Sequence, residues 1–167
     1  MDGQEHCCLD QRMTSAQTPL PAFSPPGKVR SRNMSAIRST GTKPELYVRR
    51  KLHAAGFRFR LHRKDLDGCP DLVLPRFMTA VFVHGCFWHG HGCKRGHTPR
   101  SNTPYWSAKI GRNVSRDKRN RVTLEKAGWR VAVVWECGVA EQSEQLIEML
   151  EIVRASAEQS ACSRSIR

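Results

Sequence analysis

Residues 84–97 read His-Gly-Cys-Phe-Trp-His-Gly-His-Gly-Cys-Lys-Arg-Gly-His, and they hold four of the chain's seven histidines and two of its seven cysteines. Histidine and cysteine bind transition metals and move protons near neutral pH. A packed core has no need of this composition, and a disordered linker rarely carries a pair like Phe87 and Trp88. The stretch follows Thr79-Ala80-Val81-Phe82-Val83, an apolar run that reads as a buried strand. His84 therefore falls at a strand end, where α/β proteins tend to place their sites. The chemistry on offer is metal-assisted, with histidines to carry protons.

Cys86, His91 and Cys93 lie within eight residues of one another, and a closed tetrahedral zinc site needs a fourth ligand. Cys137, just after the apolar segment ending at Trp135, is the best candidate and would tie two strand ends together. The competing reading is that Cys137 is simply a buried small residue. Spacing alone leaves open whether His91, or instead His84 or His89, is the nitrogen ligand. If His91 is, then His84 and His89 are left beside the metal, where a pair of imidazoles can supply a general base and stabilise a phosphate's developing charge. Pro70-Asp71 opens a strand expected to lie beside 79–84, and a carboxylate there suits magnesium, a hard cation that takes oxygen. A turn aspartate is the simpler account of Asp71. Glu45 fits a helix cap and a site residue equally well. His62 and His97 look peripheral, and His53 reads as an exposed helix residue. Phe87, Trp88, Tyr105 and Trp106 sit among basic and polar residues, where aromatic rings stack on bases or wedge between them. Core packing competes for Phe87 and Trp88, and Trp129 and Trp135 flank an apolar strand and read as core.

The elements that must position these residues can be read in order. Thr42-Lys43-Pro44-Glu45 is a helix start with a capping box, followed by Leu46, Val48, Leu52 and Ala55 as an apolar stripe and Gly56 as a stop. Residues 57–62 alternate as a half-buried strand does, 65–68 are a turn, and 71–74 and 79–84 are further strands. Residues 103–126 are helical in character with a break expected near Gly111, 129–135 form a fourth strand, and 139–153 an amphipathic closing helix. This order predicts an α/β chain with a mixed sheet flanked by helices.

The net charge is +13, and its distribution says more than its size. Residues 28–64 hold twelve Lys or Arg against one acid, 94–130 hold eleven against two, and 131–159 reverse the sign with six Glu and one Arg. A basic body with an acidic closing helix points to a polyanion partner, nucleic acid first. No run of about 18 apolar residues is present, so no membrane span is expected. The N-terminus lacks a signal-peptide pattern. An odd number of cysteines, two of them beside histidines, favours a reducing cytosol and a metal over a disulfide framework.

Ser31-Arg32-Asn33-Met34-Ser35-Ala36-Ile37, Gly68-Cys69-Pro70-Asp71, the 84–93 segment, and Gly128-Trp129-Arg130-Val131 through Val134-Trp135-Glu136-Cys137 together resemble the very short patch repair (Vsr) DNA mismatch endonucleases. The likeness covers about residues 28–138 and implies a restriction-endonuclease-like fold. It implies a strand-specific nick 5′ to the T of T:G mismatches that arise when 5-methylcytosine deaminates. It further implies that Asp71 and the main-chain carbonyl of Val83 bind Mg2+, that His89 activates water, that His84 supports the phosphate and that Glu45 orients the site. Cys86, His91, Cys93 and Cys137 would hold a structural Zn2+. Phe87, Trp88, Trp106 and Met34 would intercalate beside the mismatch. The strand after the aspartate lacks the second acid and lysine common in the wider fold, so histidines must replace them. Cys69 stands where a basic residue commonly precedes Pro-Asp. The expected organisation is a disordered extension over 1–27, one endonuclease domain over 28–158 with a DNA-binding arm at 28–41, and a flexible tail over 159–167. The expected setting is a monomer in the bacterial cytoplasm, associated with the nucleoid and working with mismatch-repair proteins and a repair polymerase.

Overall fold

A computed structural model describes residues 19–23 and 40–164, with side chains through residue 159. Most of the expected arm, including Met34, lies outside the described residues. The first helix, α1 (Lys43–Ala54), starts where its capping signals say it should. The Thr42 hydroxyl accepts the Glu45 N–H, and the Glu45 carboxylate accepts the Thr42 N–H. Of the expected stripe, Val48 and Leu52 are fully buried and Leu46 is exposed. Val48 and Leu52 are four apart and share a face, whereas Leu46 lies two positions from Val48 and points away.

Four strands follow: β1 (Arg60–Leu61), β2 (Leu72–Leu74), β3 (Thr79–His84) and β4 (Arg130–Trp135), in that spatial order. β1 and β3 flank β2 antiparallel, and β3 pairs with β4 in parallel, so the sheet is mixed. β1 is shorter than the alternation over 57–62 suggests. Phe57 is buried and Phe59 packs on the core, so the pattern records burial, while only two residues join the ladder.

Between β3 and β4 runs α2 (Thr103–Lys126), continuous through Gly111. Gly111 is exposed and a Cβ there would meet nothing within 4 Å, so the expected break is absent and the glycine only weakens the helix. The last helix, α3 (Val139–Arg164), runs well past residue 153. Its extension passes through Ala155, Ala157, Glu158 and Gln159, residues that favour helix without needing burial.

The core forms where α1 and α3 cover one sheet face, joining Val48 and Leu52 to Leu72, Leu74, Val81, Val134, Leu146 and Leu150. Strand residues alternate faces, so Val81 and Val134 enter this core while His84 and Trp135 turn to the other side. Among the described residues no helix is long and apolar enough to cross a membrane.

Candidate active site and metal centre

The parallel register pairs His84 with Trp135, so both strands end at the same level and their following loops start side by side. From the β3 loop come Cys86, His91 and Cys93; from the turn after β4 comes Cys137. Their ligand atoms all lie within 4.8 Å of one another. Tetrahedral zinc with bonds near ~2.3 Å places its sulfur ligands about 3.8 Å apart, so the cluster suits one ion with little movement. His91 Nδ1 is 3.4 Å from Cys137 Sγ, and the His91 ring stacks on Trp135 at 4.3 Å and 14°. Trp135 thus supports the centre and is only partly buried, where the sequence suggested core. The loop closes tightly enough that a Cβ on Gly96 would fall 1.9 Å from the His91 carbonyl oxygen, so only glycine fits. Burial pushes the Cys86 thiol up to about 12. Cys93 feels the same burial cost, but the Arg95 N–H and hydrogen bonds from His91, Cys86 and Cys137 bring it down to about 6. Thiolate is the form that binds metal.

The second cluster uses nitrogen and oxygen. The His84 and His89 rings stack in parallel at 3.7 Å and 9°, and Trp135 meets His84 edge-on at 5.2 Å. His89 Nδ1 lies 2.6 Å from Asp117 Oδ2 on α2. Burial would raise the Asp117 carboxyl, but the bond to His89 and the charges of His89, His84 and Arg116 leave it below the usual range. Burial, and then the His89 charge, depress His84 to about 4. His84 is therefore a neutral imidazole at neutral pH, able to donate a hydrogen bond without bringing a charge.

Asp71, one residue before β2, accepts the Val83 N–H through Oδ2 at 2.7 Å, which fixes it against β3. Burial raises its carboxyl to about 6; the Val83 bond lowers it, Glu45 raises it, and Arg49 and His89 lower it. A desolvated carboxylate held beside a backbone strand is a fitting ligand for a hard cation. Glu45 is buried, and Gly41 N, Thr42 N, Thr42 Oγ1 and Arg49 Nη2 all donate to it, at 2.9, 3.4, 2.9 and 2.9 Å.

A third group is aromatic. Phe87 lies 4.9 Å from Trp88 and 5.3 Å from Trp106, and Tyr105 packs on Trp106 at 5.3 Å. Lys109 Nζ lies over Trp88, Tyr105 and Trp106, each within 6 Å of the ring centre. Phe23, from the expected disordered extension, packs on Tyr105 at 4.6 Å.

The structure thus brings together Asp71, His84 and His89 near β3, the four Cys/His residues at the strand ends, and Phe87, Trp88 and Trp106 in one aromatic cluster, in which Phe87 and Trp88 are partly exposed and Trp106 is buried. Met34 lies outside the described residues. Sequence reasoning missed Asp117 and Arg49. The only signal for Asp117 is one acid standing alone among Arg116, Lys118 and Arg119. His62, peripheral by sequence, has its Nε2 3.1 Å from Arg49 Nη2.

Side chains of types that can hold metal, take a proton and stack on bases, on one strongly basic chain, are suited to cutting nucleic acid. Residues 26–95 match the family described as DNA mismatch endonuclease Vsr. The chain is 55% identical over 108 residues to the type II nicking enzyme V.XorIIP of Xanthomonas oryzae pv. oryzae, covering 65% of this chain and 79% of that one. It is 40% identical over 126 residues to the DNA mismatch endonuclease Vsr of Escherichia coli strain K12, covering 73% and 81%. A third relative, type II nicking enzyme V.NmeAIP of Neisseria meningitidis, is 52% identical over 108 residues, covering 65% and 77%. The chain belongs to the Vsr family and is a DNA-binding endonuclease.

Proposed function

We propose that this endonuclease nicks one strand of DNA 5′ to the T of a T:G mismatch left by deamination of 5-methylcytosine, and so starts very short patch repair. The observation that carries the hydrolytic part is the Asp117–His89 pair stacked on His84. Asp117 accepts from His89 Nδ1, which leaves Nε2 as the lone pair able to take a proton from water. Asp117 orients that ring and stabilises the imidazolium formed. His84, neutral and stacked against it, donates a hydrogen bond to a phosphate oxygen as negative charge builds there.

Asp71 and the main-chain carbonyl of Val83 would hold Mg2+, which would supply charge neutralisation at the scissile phosphate. Cys86, His91, Cys93 and Cys137 would hold a structural Zn2+ that pins the loop carrying His89. Phe87, Trp88 and Trp106, with Met34, would wedge beside the mismatch, where unstacking costs least. The relatives' names support the reading, since they describe nicking enzymes and a mismatch endonuclease.

The same reading takes the fold as restriction-endonuclease-like and the protein as a cytoplasmic, nucleoid-associated monomer with one catalytic domain over 28–158. Handover to mismatch-repair proteins and a repair polymerase would follow the nick.

The test is incubation of the protein and Mg2+ with end-labelled duplexes carrying one T:G mismatch in varied methyltransferase-site contexts, beside matched controls. A nick confined to the T strand of mismatched duplexes is expected. Cleavage of both strands, or of matched DNA, would overturn the proposal.

A further inference from the structure

Glu45 is saturated. An ionised carboxylate offers about four lone-pair positions. Gly41 N and Arg49 Nη2 donate to Oε2, and Thr42 N and Thr42 Oγ1 donate to Oε1. Its side chain is 3% exposed, so it has neither room nor lone pairs for a metal or a water.

What α1 offers beside Asp71 is a guanidinium. Arg49 Nη2 is held between Glu45 Oε2 at 2.9 Å and His62 Nε2 at 3.1 Å. Arginine only donates, so His62 Nε2 accepts and the ring's proton sits on Nδ1. His62 adopts a φ of 45°, a left-handed conformation that few non-glycine residues hold, just past the edge strand β1. Two anchors from separate elements therefore aim one side chain. Arg49 Nε is buried and has no partner among the described residues, a donor left over in a network otherwise complete. The Arg49 charge reaches Asp71, where it opposes the effect of Glu45.

We infer that Arg49 is a phosphate-binding residue of the nicking site, and that Glu45 and His62 are positioning residues that act through it. The inference rests on the nuclease reading above. A guanidinium presents a planar fork of donors that matches phosphate oxygens; Nε itself is buried, and the 17% of the Arg49 side chain that stays exposed is where an anion can approach. This assigns α1 a cation where the sequence suggested a carboxylate.

The test uses the zinc-loaded full chain with Arg49→Ala, Arg49→Lys, Glu45→Gln, His62→Ala and the Arg49→Ala/Glu45→Gln double variant. Two readouts are taken: the single-turnover nicking rate, and the slope of log binding constant against log salt for a T:G duplex. Arg49→Ala is expected to slow nicking about 10²-fold and to flatten the salt slope by about 0.9, the signature of one lost phosphate contact. Arg49→Lys should restore the slope and recover the rate only in part, because an ammonium lacks the fork. Adding Glu45→Gln to Arg49→Ala should cost nothing further, and His62→Ala should lower the rate less than Arg49→Ala. An unchanged slope in Arg49→Ala, or a Glu45→Gln loss that persists undiminished in the double variant, overturns the inference. Should Arg49→Ala fail to fold, Arg49→Lys decides: full activity would overturn the assignment. A wild-type chain that binds mismatched DNA without nicking it would sink the parent reading instead, and the salt slope alone would then judge Arg49.

Discussion

Two clusters share the loop after β3 and differ in almost every chemical respect. Cys86, His91, Cys93 and Cys137 form a closed, sulfur-rich group tied to the end of β4. His84, His89 and Asp117, with Asp71 nearby, form a nitrogen and oxygen group that is largely buried and is completed by Asp117 from α2. His89 and His91 are two residues apart and fall into different clusters. The loop geometry, with His89 N bonded to Gly85 O and His91 N bonded to Cys86 O, turns the two rings in different directions. The difference is one of donor type: one cluster offers the thiolate and imidazole donors that suit a metal such as zinc, and the other offers imidazole and carboxylate donors, with a histidine paired to an acid.

The sharpest way to break this division is Asp71→Asn. It should remove nicking by about 10³-fold or more while mismatch binding and zinc content stay intact, since general acid–base and metal contributions of this size are common. Gel-shift and zinc assays beside the rate check it. A proportionate loss of zinc would mean that the clusters are one. Cys93→Ala should do the converse. It should release zinc and lower the melting temperature, because ligand-set binding energy is folding energy in such sites; an unchanged melting curve would remove the structural role.

Asp117→Asn should slow nicking about 10–100-fold without altering zinc content, as losing a partner that orients a histidine does. The predicted protonation of His84 sharpens the contrast further. Its folded value of about 4 lies below the ordinary 6.5, so stability from the neutral ring is complete above 6.5 and is lost as pH falls through about 4. Asp71 has the opposite sign: its value is raised to about 6, so its contribution is complete below 3.8 and is lost as pH rises through about 6 in metal-free protein. Side-chain ¹⁵N shifts followed against pH should show His84 staying neutral down to about pH 5; titration above pH 6 would contradict its burial. The smallest expected effect is Gly111→Ala, which should stabilise α2 by about 0.5–1 kcal/mol with no change in rate, read by thermal melting.

Some of this was legible in the sequence for definite reasons. α1 announced itself through a capping box, and β3 and β4 through apolar runs of strand length, although β3 is mostly buried and β4 mostly half-buried. The three cysteines of the Cys/His group could be anticipated from their spacing and position, whereas the choice of His91 over His84 or His89 came only from the family resemblance. Asp117 could not, because it is 28 residues from His89 and nothing local in an Arg-rich helix says which acid will meet it. Arg49 and His62 were hidden for the same reason: a contact between a helix and the residue after a two-residue strand is a tertiary fact. The continuity of α2 through Gly111 shows the reverse error, since a helix breaker in an exposed position is overruled by the packing of residues on either side.

The measurement that bears most directly on this account is single-turnover nicking of a T:G duplex by His89→Ala beside the wild-type chain, with zinc content measured on the same samples. The expected result is a nick on the T strand that vanishes in the variant while zinc remains at the wild-type level. Nicking that survives in His89→Ala, or zinc lost with it, would contradict the separation of hydrolytic and structural roles on which the whole reading depends.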